Sequence, residues 1–496
     1  MLYLTGREHR PWGQYGAANG RRGRYYDAPG STEAWTAPVT QHADDVTAVA
    51  ALLLLLALAA AAFGQGAYFS AVRLFIMALL AVAVLLALAA RPLPGADLRD
   101  GFVVAGVLLA CWALARAWAA GTPASGLTWA LFGAGSVAVV LVSRRLTNAS
   151  RGMLLGGLLA VGVAVALTGW LGVALHRGPW GLASQDLWRA ASTLTYTNAT
   201  AALLVPLALV ALARLTASPR SIPLSVAAMC MLTTTALTLS RAGVAGLGLG
   251  LLVLCWLLPA RRVVRAAVAP VAGAGVAVLG LVPSLQAAAP ARPALAAVTM
   301  AAGVGLVVVA QRFAGWKLVP PLAGAVLAAA IFAVVLAPQV HDAIHALTHA
   351  RLTLASPARS GEAGAALRVI GSHPLAGVGP DHALRWTGPG GVVNVDQYAH
   401  DEYLQALTDL GIVGGVLAAV LLVSAGRLLW RVRASSPDRA LWAGAVAAAT
   451  AFLLQSGFDF IWQLPAIPLA VAAIVGLAVY QPARRHEPPG DAVPRE

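Results

Sequence analysis

The run Val46–Gly64, VTAVAALLLLLALAAAAFG, decides the fold. It is apolar, uncharged and long enough to cross roughly 30 Å of hydrocarbon as a helix. Lipid offers no partner for backbone N–H and C=O groups, so such a run has to be helical. Runs of the same kind recur along the chain, for example at Leu318–Ala337. The 496 residues are 59% hydrophobic and only 11% charged, against roughly a quarter charged in a soluble domain, so the chain is a polytopic membrane protein.

Counting outward from Val46–Gly64 predicts an all-α fold of about 14 transmembrane helices. Their approximate limits are 46–66, 70–90, 101–119, 126–143, 152–174, 197–213, 221–239, 242–259, 264–283, 293–311, 318–337, 403–426, 440–457 and 463–480. The shortest connections, 67–69 and 240–241, are where two spans could merge. Residues 1–45 carry five Arg against five acidic residues, lack a signal-peptide pattern, and read as a disordered cytoplasmic tail. Residues 481–496 read the same way. The membrane domain is 46–480, with one large extracytoplasmic loop at 338–402.

Charge orients the spans. With the N-terminus in the cytoplasm, alternate loops hold Arg91 and Arg99; Arg144, Arg145 and Arg151; Arg214 and Arg220; Arg261, Arg262 and Arg265; Arg312 and Lys317; and Arg427, Arg431, Arg433 and Arg439. Arg484 and Arg485 fall on that side too, so both termini are expected in the cytoplasm. The net charge of +14 is thus spent on orientation. No basic face is interleaved with exposed aromatics, which argues against nucleic acid. Cys111, Cys230 and Cys255 lie inside apolar runs and form no disulfide or metal framework.

On the opposite face the turns are short and nearly uncharged, except for 176–196 and 337–402. Arg189, Arg241, Arg359 and His400 all fall there, against the positive-inside trend. Arg241 either snorkels to the interface or binds an anion such as phosphate. Around Arg189, in WRAASTLTYTN, one of Thr195, Thr197 and Asn198 is expected to cap the next helix. Arg189 itself sits poorly beside a positive helix end unless an anion lies nearby. His341, His345 and His349 recur at helical spacing, but no carboxylate completes a metal set. Imidazole at His400 can take a proton from a hydroxyl nucleophile. Asp401, Asp396 and Asp459 are the acids that could orient it, Asp459 otherwise reading as a solvated turn residue.

Five segments in order resemble the O-antigen ligase/polymerase superfamily of bacterial membrane glycosyltransferases. STLTYTNATAALLVPLAL resembles its GTxxxPNxxAxxL segment, with Thr197 where Pro is usual. LTLSRAGVAGL resembles its SRG segment, with Ala242 in place of Gly. RVIGSHPLAGVGP resembles hPLxGvGp, with Arg359 near an expected upstream Arg and Ala363 where an aromatic is common. AHDEYLQALTDLGIVGG resembles AHNxYLQxLxExGxxG, with Asp401 in place of Asn, and SGFDFIWQLPAI resembles the closing segment.

The resemblance implies transfer of a glycan from undecaprenyl pyrophosphate to an acceptor hydroxyl at the outer face of the cytoplasmic membrane, in surface polysaccharide biosynthesis. His400 would be the general base, and Arg241, Arg359 and Arg189 would bind the pyrophosphate. Asp401, Asn198 and Asp459 would support them. No metal or other cofactor is implied. The partners are the lipid-linked glycan donor, a glycan, lipid or protein acceptor, and the bilayer. A protein O-oligosaccharyltransferase would share the donor. A small-solute transporter is the reading from another class, but it calls for interrupted helices and polar groups near the bilayer midplane, which these spans nearly lack.

Overall fold

A computed structural model describes residues 37–90, 100–312, 324 and 357–480. From Ala43 onward they belong to one compact unit. Nine helices among the described residues are long and apolar enough to cross a membrane: Asp44–Phe63, Ser70–Ala90, Gly101–Ala119, Pro123–Arg145, Asn148–Ala174, Thr197–Ala217, Ala260–Ser284, Pro293–Arg312 and Glu402–Arg431. Ile222–Leu237, Arg241–Leu257 and Ala466–Ala478 are shorter apolar helices, and Arg439–Ser456 is a further helix. The expected span 318–337, apart from Gly324, and the histidines at 341, 345 and 349 lie outside the described residues. Both short connections do separate helices. A 3-10 turn, Gln65–Ala67, parts the first two, and Ser240 caps Arg241–Leu257 by accepting the Gly243 N–H.

Thr197–Ala217 is the centre of the bundle and is buried along nearly its whole length. Ile222–Leu237 and Arg439–Ser456 pack on it. Arg439–Ser456 buries many small residues, among them Ala443, Ala447, Ala448 and Ala451, and its Gly444 lies against Val210 and Ala213 of Thr197–Ala217. Small side chains let helix backbones approach closely where lipid supplies no hydrophobic drive for association.

The described residues are mostly helical, in keeping with the expected all-α membrane fold, with two short antiparallel hairpins between helices, Gly181–Ser184 with Leu187–Ala190 and Leu384–Thr387 with Val393–Asp396. One expectation is corrected: the span expected at 403–426 is broken. Gly411 (φ 67°, ψ −169°) interrupts the helix Glu402–Arg431. Such a break frees carbonyl and amide groups that must find partners.

The segment Pro374–Gly379 supplies those partners. Ile412 N–H donates to Pro374 O at 2.8 Å, Val378 N–H to Thr408 O at 2.9 Å and Gly379 N–H to Asp409 O at 2.9 Å. Trp112 Nε1 covers Leu410 O at 2.9 Å. Arg116 donates to Ala376 O at 2.9 Å and Gly377 O at 3.0 Å. The glycines of the two segments are interlocked. A Cβ on Gly377 (φ +65°) would stand 2.5 Å from the Asp409 carbonyl, and one on Gly411 would strike Leu375 O. The PLAGVG and LTDLG sequences are therefore two halves of one backbone joint.

A small separate core sits beside this joint. Ala365 and Ala366 of the helix Pro357–Ser372 pack with Leu384, Trp386 and Ala399. It fixes that helix against the start of Glu402–Arg431, with His400 immediately after the buried Ala399.

Candidate functional site

Arg359 and Glu362 are three residues apart on the helix Pro357–Ser372, and so on one face of it. Glu362 is buried, and its Oε2 lies 2.8 Å from His400 Nδ1. A carboxylate accepting from Nδ1–H fixes the tautomer and leaves Nε2 as the basic nitrogen. Burial by itself lowers the His400 pKa. The Glu362 hydrogen bond and the negative charges of Asp459 and Glu362 outweigh it, so the net shift is upward.

The His400 backbone is held in the left-handed region, at φ 47°. A non-glycine residue stays there only when its surroundings enforce it. On one side the Ala399 N–H donates to Gln405 Oε1 at 2.8 Å. Gln405 Nε2 in turn reaches Asp409 Oδ1 at 2.8 Å, and Trp129 Nε1 holds Asp409 Oδ2 at 3.0 Å. On the other side Asp401 accepts from Tyr403 N at 2.9 Å and Leu404 N at 3.1 Å. Asp401 is thus the N-cap of the helix Glu402–Arg431.

Asp459 lies at the centre of a second group. It is 1% exposed, not the solvated turn residue expected from its sequence context. Tyr196 Oη donates to it at 2.8 Å, Phe460 N at 3.0 Å, and Asn198 Nδ2 is a further donor. Arg359 Nη2 stands 3.8 Å from Asp459 Oδ2. Asn198 Oδ1 accepts from Arg189 at 3.4 Å, while Arg189 Nε binds Thr238 O at 2.9 Å. Burial pushes the Tyr196 phenol well up, helped by the Asp459 carboxylate, so it stays a donor.

Six of the seven residues singled out from sequence therefore meet or adjoin one another. His400 and Arg359 converge through Glu362 and Asp459, Arg189 joins through Asn198, and Asp401 caps the helix next to His400. Arg241 is the seventh. It stands exposed at the first position of Arg241–Leu257, three residues beyond the Thr238 carbonyl that Arg189 holds.

Two expectations fail on this geometry. None of Asp401, Asp396 and Asp459 hydrogen-bonds His400. Asp401 accepts both backbone amides on its Oδ1, and Asp396 takes the Trp386 indole at 2.5 Å. None of Thr195, Thr197 and Asn198 caps Thr197–Ala217 either. The N-cap position is Tyr196, with no side-chain cap bond, because Asn198 turns to Asp459 and Arg189. Glu362 was missed altogether. Its spacing from Arg359 was the available signal, but the register of that helix against His400 comes from the small core around Trp386.

The segments that build this site bear directly on the comparisons with known proteins. No curated protein matches the chain. Residues 287–419 match the family model described as O-antigen ligase. The match takes in Arg359, Glu362, the PLAGVG segment and His400 through Gly411, and leaves Arg189, Arg241 and Asp459 outside it. Over these residues the chain is similar to O-antigen ligases, in line with the resemblance read from its sequence.

Proposed function

We propose that the protein transfers a glycan from undecaprenyl pyrophosphate to an acceptor hydroxyl at the outer face of the cytoplasmic membrane. The supporting observation is the helix Pro357–Ser372, which offers an anion-binding Arg359 and the His400 partner Glu362 from one face. A general base and a cation for the leaving group are the two things this reaction needs.

In this reading His400 Nε2 takes the proton of the acceptor hydroxyl. The oxygen attacks the anomeric carbon, and the bond from that carbon to the pyrophosphate oxygen breaks. The electron pair leaves with the lipid pyrophosphate, whose growing charge Arg359 meets, with Arg241 and Arg189 as the further cations. The Asp459 carboxylate aims Arg359 from a distance of 3.8 Å without enclosing it, since the Arg359 side chain remains 37% exposed. A guanidinium held on one edge keeps donors for a phosphate on the others.

The helix break at Gly411 does not favour a solute path. It lies in the first third of Glu402–Arg431, and Pro374–Gly379 closes it with backbone hydrogen bonds. The test is transfer in proteoliposomes from a lipid-pyrophosphate-linked glycan to candidate acceptors, comparing wild type, His400→Ala and Arg359→Ala. Transfer at the wild-type rate in both variants would sink this reading, and donor-independent solute uptake would replace it with transport.

A further inference from the structure

We infer that Glu402 is a positioning residue: its buried carboxyl group fixes the Asp459–Phe460 segment against His400, and so sets the spacing of base and cation. This rests on the transfer reaction proposed above. Glu402 stands two residues after His400, at the first position of the helix Glu402–Arg431, and is fully buried. An acid in that place is ordinarily explained by the free amides of its own helix. Here Asp401 already accepts from Tyr403 N and Leu404 N. Glu402 turns inward instead, to a turn 60 residues further along the chain.

That turn is Ile461–Gln463, which follows directly on Asp459 and Phe460. Glu402 Oε1 accepts the Trp462 N–H and, at 3.2 Å, the Gln463 N–H, while its Oε2 accepts from Gln463 Nε2 at 3.2 Å. A buried acceptor bonded to three donors of one turn has little freedom to shift. The turn is itself held. Trp462 is buried, stacks on Phe132 (4.3 Å, 12°), meets Trp129 edge-on at 6.1 Å, and gives its indole N–H to Ser456 Oγ at 2.8 Å. Tyr403 also touches the Trp462 ring, edge-on at 5.6 Å, but that contact fixes no polar geometry. Glu402 thus fastens the segment carrying His400 to a packed aromatic cluster.

The two ends of this tie carry the two halves of the site. His400 faces Glu362 and Arg359 on the helix Pro357–Ser372, and Asp459 and the Phe460 ring on the tied segment. Asp459 in turn aims Arg359. Without the tie, Asp459 can draw away from His400 and Arg359 together. Asp459 and Glu362 are the charges that raise the His400 pKa, and Arg359 is the one that lowers it. The imidazole therefore reports where the Asp459 segment stands.

Carbethoxylation by diethyl pyrocarbonate follows the neutral imidazole with no transfer step, read by mass spectrometry on the His400 peptide across pH. The His400 side chain is 27% exposed and so open to the reagent. Glu402→Met fills the space and accepts nothing. It should lower the midpoint by about 0.5–1 pH unit, part of the roughly 1–3 that one close opposite charge gives. In transfer, kcat should fall about ten- to a hundredfold with KM little changed. Glu402→Gln should restore both, because its amide oxygen still accepts the backbone N–H groups and a flipped Gln463 amide can accept from its nitrogen. Gln463→Ala, which removes one of the three bonds, should shift the midpoint the same way by less, and serves if Glu402→Met lowers the thermal melting temperature. An unmoved midpoint in these two variants would reduce Glu402 to packing, and an equal shift in Glu402→Gln would assign the effect to its charge; either overturns the positioning role. Failure of the transfer reading is separate: His400→Ala would retain transfer while the midpoints moved as expected.

Discussion

The helices Thr197–Ala217 and Arg439–Ser456 pack along each other, and an aspartate ties them together near each end, with opposite character. Near the C-terminus of Thr197–Ala217, Arg214 pairs with Asp438, whose side chains are 28% and 32% exposed. Asp438 also caps Arg439–Ser456 through the Leu441 N–H at 2.9 Å. At the other end Asp459 is buried and shared among Tyr196, Asn198, Phe460 N and Arg359. The first pair is a wet tie between two helix ends. A carboxylate so deeply buried as Asp459 must instead be satisfied from several directions at once. The same residue types thus give a clamp at one end and, at the other, a polar centre that collects the candidate site.

The largest effect is expected at the base. His400→Ala should lower the transfer rate by about 10²–10⁴, the usual contribution of a positioned base, measured as glycan transferred per minute. Next, Asp459→Ala should destabilise the fold by about 3–5 kcal/mol, because it strands the groups converging on a buried charge. Asp438→Ala should cost only about 1–2 kcal/mol, the sum of a half-exposed ion pair and a cap. Thermal unfolding in detergent compares the two, and equal losses would erase the contrast between the ends.

Glu362→Gln sharpens the site side of the comparison through pH. His400 must be unprotonated to act, so transfer rises with pH through its raised pKa. Without the Glu362 charge, burial dominates and the acid limb should move to lower pH, with the maximal rate down about tenfold. An unmoved limb would show that Glu362 only packs. Gln405→Ala removes the hold on Ala399 N–H and should lower kcat several-fold, about 1 kcal/mol for one buried hydrogen bond, with KM little changed. The smallest change is expected for Asp401→Asn. Asn caps as well as Asp, so activity should stay within about twofold and the pH profile should not move. A shifted profile would return Asp401 to the role of charge partner for His400.

Much of this was legible in the chain itself. Apolar runs bounded by arginines predict the helices closely, because length and hydropathy answer to the bilayer alone. The sequence also brings out His400, Arg359, Arg189, Asn198 and Asp459, since charges and amides beside apolar runs are costly without a purpose. Glu362 stayed hidden because one acidic residue on a polar helix carries no cost that a sequence can show. The break at Gly411 stayed hidden too, since an isolated glycine in an apolar run is ordinary. Only contact with Pro374–Gly379 reveals why its conformation is required.

By itself, then, the sequence determined that the chain is a bundle of membrane helices and which polar residues stand at their ends. Those features follow from each segment's own encounter with lipid and water. The tertiary structure decided which acid holds His400, that Asp401 caps a helix instead, and that Asp459 is buried at the meeting of Tyr196, Asn198 and Arg359. Such pairings join residues up to 263 positions apart, as Tyr196 and Asp459 are. They depend on helix register and on the small packed core around Trp386, and no local pattern encodes either.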